Sequence, residues 1–247
     1  NSGGETEDPY INYNLEMALS NSVNTIAVKV LNEVGIDKVL EQASKMGITK
    51  ELPKLPSIAL GVTEINLKEL TGAYASYVNQ SIPVKPFCIT KVTDRNGRVI
   101  VSFEPKNTEP AYSDYTRQVM LEIMKSTVNS GTASRLRSTY NLTNDIAGKT
   151  GTTQDNKDGW FVGITPNLVT VTWVGNDNHS IGFRTTGLGQ GANSALPIFA
   201  KFYMKLNRDS KYNNITKSLF ETPTDEVVSD LICEEIKRDG LVHGFKW

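Results

Sequence analysis

The 247 residues hold only two cysteines and two histidines. Cys88 and Cys233 lie far apart without metal-type spacing, and His179 and His243 form no HExxH pattern. Neither a structural metal nor any other cofactor is therefore expected. A Cys88–Cys233 disulfide is conceivable in an oxidising compartment, but two buried free thiols are the preferred reading. No apolar run approaches the ~18–20 residues that span a bilayer, and the amino terminus lacks the charged-then-apolar profile of a signal peptide. The residues themselves thus read as soluble. Charge of one sign is also missing: 26 Lys+Arg stand against 27 Asp+Glu with no block of like charge, which points to neither a nucleic acid nor a membrane surface as partner. There are no repeats, low-complexity tracts or clear linker. The opening Asn1-Ser2-Gly3-Gly4-Glu5 fits a mature terminus as well as a cut inside a longer protein.

What the chain does have is concentrated at Asp145-Ile146-Ala147-Gly148-Lys149-Thr150-Gly151-Thr152-Thr153. A phosphate-binding loop would need a glycine where Thr143 stands, and a helix next. The next segments are instead Gly159 to Ile164 and Leu168 to Val174, rich in β-branched and aromatic residues and separated by Pro166-Asn167. Lys149 therefore belongs to a strand of an antiparallel meander. Alternation puts Lys149 and Gly151 on one face and Thr150 and Thr152 on the other. On an edge strand, a glycine lets an extended peptide pair with the backbone while a lysine and hydroxyls bind a carboxylate.

Around this stretch, Leu15 to Leu19 and Ile26 to Leu31 predict two short helices with a polar joint, Ser20-Asn21-Ser22, where Ser22 in isolation reads as a cap of the second. Asp37 opens a third helix that Gly47 stops. Prolines hold Leu52 to Gly61 extended, and Asn66-Leu67-Lys68-Glu69 reads as a capping box. Phe87 to Asp94 and Arg98 to Phe103 flank Asn96-Gly97, a hairpin turn with positive φ at both residues. Ser113 caps a helix with Val119, Met120, Ile123, Met124 and Val128 inward. Ala192 to Leu206 gives another across the sheet, with Leu196, Ile198, Phe199, Phe202, Tyr203 and Leu206 apolar. Residues 208–247 read as an appendage, in which Val227 to Cys233 suggests strand.

Two polar signals stand out: Ser22-Val23-Asn24 between helices and Lys149-Thr150-Gly151-Thr152 on a strand. Together they resemble the second and third motifs of the penicillin-binding proteins, serine acyltransferases that cross-link peptidoglycan. Met17 to Thr25, Leu55 to Gly61, Leu70 to Ala75, Gly131-Thr132-Ala133, Asp158 to Gly163 and Trp173 to Asn178 are similar in wording to the bifunctional class A branch, over about residues 9–206. The resemblance implies an α/β fold with a three-stranded remnant of a five-stranded antiparallel sheet between helices. It implies D,D-transpeptidation of D-Ala-D-Ala stem peptides, β-lactam binding, and a place outside the cytoplasmic membrane, anchored by a segment not present. Carried onto matching positions, Ser22 relays the proton to the leaving amine and Asn24 bonds the acyl side chain. Lys149 positions Ser22 and lends charge, while Thr150, Gly151 and Thr152 bind substrate, with the Thr152 backbone as an oxyanion donor.

One departure is severe, because no serine here is followed three positions later by lysine. Ser134 has Arg137, which stays protonated and cannot serve as base. Residues 1–207 are thus expected to be the carboxyl-terminal part of a transpeptidase domain and 208–247 an extension. The nucleophile is expected from an upstream part of the same protein, the isolated chain to be inactive, and its uncovered apolar surface to favour a dimer or swapped element. The alternatives are a D,D-carboxypeptidase and a non-catalytic peptidoglycan- or β-lactam-binding module.

Overall fold

The computed structural model describes residues 13–104, 109–178 and 180–232. Helices α1 (Leu15–Ser20), α2 (Asn24–Val34), α3 (Ile36–Lys45) and α4 (Leu67–Ala75) come first, followed by the hairpin β1 (Lys91–Thr93) and β2 (Val99–Ser102). The long α5 (Asp114–Asn129) and the single turn α6 (Arg135–Ser138) lead into the meander β3 (Ala147–Thr152), β4 (Gly159–Thr165) and β5 (Leu168–Val174). The chain continues through the turn α7 (Thr186–Gly189), then α8 (Leu196–Leu206), α9 (Asn213–Thr216) and α10 (Asp225–Leu231).

The three strands pair antiparallel in the order β3-β4-β5, with Lys149 opposite Val162 and Gly151 opposite Trp160. Period-two alternation then sorts the core. Ala147, Val162 and Ile164 face Leu121 and Met124 of α5 and Tyr77 behind α4. Phe161 turns the other way onto α8, where Phe199 meets it edge-on at 5.0 Å between ring centroids. Tyr203 is fully buried and its hydroxyl shares a 2.9 Å hydrogen bond with Thr165 Oγ1. The α/β fold with helices on both faces of an antiparallel sheet is thus as expected, and β3 lies at an edge.

Several local expectations give way to tertiary demands. Pro56–Leu60 is a 3-10 turn closed by Gly61 in the left-handed region, where an extended run was expected. Proline at the first position presets φ for such a turn. Asn66 does cap α4, accepting from the Lys68 amide at 2.8 Å. Glu69, however, does not close the box; its carboxylate holds the Thr49 amide and hydroxyl across 20 residues. At the hairpin only Gly97 has positive φ. Asp94 Oδ1 accepts from the amides of Asn96 and Arg98, so an aspartate-capped turn with a bulge replaces the two-residue turn.

On α8, Ile198 and Phe202 are exposed, and the buried stripe is Leu196, Phe199, Ala200, Tyr203 and Leu206. Asp225–Leu231 is helical where strand was expected from Val227 onward: Val227, fully buried, anchors α10, with Asp225 and Glu226 suited to its first turn. Thr224 and Asp230 tie this segment to Gln118 and Tyr115 of α5. Cys88 is exposed rather than buried, since it lies in the arm leading to a hairpin whose strands have no covering layer. Cys233, and with it the disulfide reading, lies outside the described residues, as do both histidines.

Candidate active site

Ser22 owes its position to the way α1 ends. The Val23 amide reaches back to Ala18 O at 2.9 Å and the Ser22 amide to Leu19 O at 3.1 Å. This is the paired-bond helix stop in which one residue must turn left-handed. That residue is Ser22, at φ 56. Glycine takes this conformation freely, whereas a residue with a Cβ is strained in it by about 1–2 kcal/mol. The expected capping role is therefore not the one Ser22 plays. The N-cap of α2 is Val23, without a side-chain cap bond, and the Ser22 hydroxyl points instead to β3.

There it accepts a hydrogen bond from Lys149 Nζ, which also donates to Thr150 O at 2.9 Å. Burial pushes the Lys149 ammonium down from the usual lysine range to about 8, because the charged form loses water that two hydrogen bonds replace only in part. Near neutral pH, Lys149 consequently exchanges between a cation and a neutral amine, both able to donate to Ser22.

Beside it, Thr150 Oγ1 and Thr132 Oγ1 share a 2.7 Å hydrogen bond. Two hydroxyls so paired use one O–H between them and leave the other to donate outward. Thr132 is brought in by Gly131, whose Cα lies so close to the end of α1 that a Cβ would stand 2.4 Å from Ser20 O. The Thr132 amide bonds that same Ser20 O at 3.1 Å. A lone Gly-Thr-Ala turn thus docks the serine-bearing turn against the lysine-bearing strand. Asn24, the first residue of α2, is exposed on the same cleft. The cleft has a volume of about 1800 Å³ and its walls include Ser22, Asn24, Lys149, Thr150, Gly151 and Thr152. All the residues singled out in the two motifs are therefore brought together.

The far end of β3 carries contacts that linear reading missed. Thr152 Oγ1 accepts from the Gly191 amide at 3.0 Å. Thr153 and Asp158 close the β3–β4 turn reciprocally: the Asp158 amide donates to Thr153 Oγ1 at 2.8 Å, and that hydroxyl donates to Asp158 Oδ2 at 3.2 Å. Asp158, nearly buried, also takes the Trp173 indole N–H at 2.9 Å. Only the strand register puts these residues side by side. Among the described residues no group of three or more His, Cys, Asp or Glu is gathered for a metal, and no helix is long and apolar enough to cross a membrane.

The cleft thus sets a lysine on an edge strand against a serine at a helix stop, beside paired threonines. Residues 3–203 match the family model of the penicillin binding protein transpeptidase domain, and the chain belongs to that family. It is 38% identical over 239 residues to penicillin-binding protein 1A of Aquifex aeolicus, covering 93% of this chain and 31% of that protein. With penicillin-binding protein 1A of Neisseria gonorrhoeae it shares 34% over 193 residues, 76% of this chain and 24% of the relative. The chain thus spans about a third or less of the curated relatives it matches. Among solved structures, penicillin-binding protein 1A from Haemophilus influenzae superposes with a TM-score of 0.72 at 23% identity, covering 85% of this chain and 36% of that one. PonA1 from Mycobacterium tuberculosis gives 0.70 at 25%, covering 86% and 59%.

Proposed function

We propose that this chain supplies the substrate-recognition wall of a serine-type D,D-transpeptidase that cross-links peptidoglycan stem peptides and is acylated by β-lactams. The observation that carries this reading is the hydrogen bond from Lys149 to Ser22, with the Thr132–Thr150 hydroxyl pair beside it. In this reading the nucleophilic serine comes from an upstream part of the same protein, because no Ser-x-x-Lys occurs in these 247 residues. Residues 1–207 form the later part of the transpeptidase domain, and 208–247 are an extension, of which Thr224 and Asp230 bond to α5. The working place is the extracytoplasmic face of the membrane, reached through an anchor elsewhere in the protein.

Attack is by the upstream serine, whose ester bond to the acyl carbon forms as the amide bond to D-alanine breaks; the remaining roles fall to groups of this chain. A stem peptide lies along the free edge of β3, paired with its backbone as an added strand. Its terminal carboxylate accepts from the outward O–H of the Thr132–Thr150 pair and from Thr152. As the acyl carbonyl is attacked, the Thr152 N–H faces the developing oxyanion; a fixed donor of this kind is worth about 3–4 kcal/mol. Ser22 passes a proton to the departing D-alanine amine and is resupplied through Lys149, whose lowered pKa makes it both donor and acceptor near neutrality. Asn24 holds the acyl side chain. The acceptor amine then takes the acyl group by the same path in reverse.

Product analysis with the complete protein tests the reading: a D-Ala-D-Ala peptide supplied with an amine acceptor should give the cross-linked amide and free D-alanine. Hydrolysed peptide alone, whatever the acceptor concentration, would instead mark a D,D-carboxypeptidase. The absence of Ser-x-x-Lys here also favours a second reading, a non-catalytic binding module. Retention of the peptide with release of no D-alanine would select it.

A further inference from the structure

We propose that Gly191 is a positioning residue for carboxylate recognition, acting through Thr152. This rests on the transpeptidase reading, and it concerns a segment outside both motifs. A threonine hydroxyl has one proton to give and two lone pairs to receive with. At Thr152 one lone pair is taken by the Gly191 amide at 3.0 Å, which fixes the rotation of the side chain. Thr152 is otherwise exposed on the cleft, so the hydroxyl proton is left to point into it. The Gly191 amide therefore decides where the Thr152 donor aims.

Gly191 can do this because it has no side chain. A Cβ there would stand 2.3 Å from Trp160 O, 2.4 Å from Gly151 O and 3.0 Å from the Trp160 amide. All three atoms are backbone of the paired strands β3 and β4, which cannot swing aside as a side chain could. The loop is pressed onto the same strand ends at two further points. Gly189 lies where a Cβ would meet Asn156 Cβ at 2.5 Å, and the Phe183 amide donates to Asn156 O at 3.1 Å. Beneath that contact, Asp155 and Asn156 are both left-handed, at φ 59 and 54, a costly pair of conformations that the overlying loop holds in place. The glycine-rich segment is thus a brace on the end of the substrate strand, and Gly191 is its contact with a ligand-facing hydroxyl.

The test uses the complete protein, comparing acylation by a penicillin with that by the same penicillin esterified at its carboxylate. Gly191→Ala is expected to slow the free acid about tenfold or more, the range for losing a hydrogen bond to a charged group, and the ester by about threefold at most. In a Thr152→Val background, Gly191→Ala should add little, because the group it positions is gone. Hydrogen exchange covers the case in which Gly191→Ala does not fold. The Gly191 amide should exchange slowly in the wild type and at least about tenfold faster in Thr152→Val. Equal slowing of acid and ester, additive effects of the two substitutions, or a Gly191 amide indifferent to Thr152 would overturn the inference. A wild-type protein that no penicillin acylates would overturn the transpeptidase reading itself, and this inference with it.

Discussion

Lys149 and Ser22 lie 127 residues apart in sequence and are joined by a hydrogen bond from Nζ to Oγ. The bond links a half-buried lysine on an edge strand to a serine held left-handed at a helix stop, two positions that each carry a cost.

The cost at Lys149 is electrostatic and depends on pH. Its ammonium has fallen from 10.5 to about 8, so between those values the unfolded chain binds more protons than the folded one. Stability from this group must then rise as pH climbs from 8 toward 10.5, and its burial cost is present in full below 8. Side-chain NMR should find a lysine signal titrating near 8 that is absent from Lys149→Met. Urea unfolding should show a rise in stability over this interval that Lys149→Met removes. An unchanged slope in Lys149→Met would contradict the assignment.

The cost at Ser22 is conformational. Ser22→Gly should stabilise the chain by up to about 1 kcal/mol by relieving the left-handed residue, while the complete protein loses most of its acylation rate. Ser22→Ala keeps the strain and should gain no stability. Denaturation midpoints of the two variants separate these effects.

Phe199 tests the α8 face. Its ring is fully buried between Phe161 and Tyr203, at 5.0 and 4.5 Å. Phe199→Ala should cost about 3–5 kcal/mol, read as a lowered urea midpoint. The Lys149 titration should persist in whatever fraction stays folded, because Lys149 lies on the opposite face of the sheet.

Ile198 and Phe202 point outward from that same helix, 50% and 41% exposed. Made alone, these 247 residues should therefore self-associate, and Ile198→Lys with Phe202→Glu should shift sedimentation toward monomer. A wild-type chain that sediments as a monomer at all concentrations would exclude such association.

The meander and its lysine were legible because β-branched and aromatic residues crowd Gly159 to Val174 and leave little choice but strand. Both motifs were legible as well, and the fold gathered them. The conformation of Ser22 was not, since propensity assigns a left-handed helix stop to glycine or asparagine and a serine there to capping. Val227 to Leu231 carries β-branched residues yet forms a helix, because Val227 gains a buried site against the body of the fold. Glu69 left its capping box for Thr49, and Asp158 found Trp173, through contacts that exist only after the chain has folded. The Gly191 amide is the clearest case: nothing in a glycine's neighbours along the chain says that it will meet a threonine 39 residues earlier.

The most direct test of the central claim is to map the covalent adduct of a fluorescent penicillin by mass spectrometry. It should be run on the complete protein, on its Lys149→Ala variant and on residues 1–247 alone. The complete protein should carry one adduct on a serine outside these residues, and Lys149→Ala should label at least about a hundredfold more slowly, within the range for losing a group aimed at the reacting atoms. Residues 1–247 alone should stay unlabelled, as loss of a nucleophilic serine costs on the order of 10⁶ in rate. An adduct on Ser22, or on any serine within residues 1–247, would contradict the assignment of this chain as the recognition wall rather than the nucleophile.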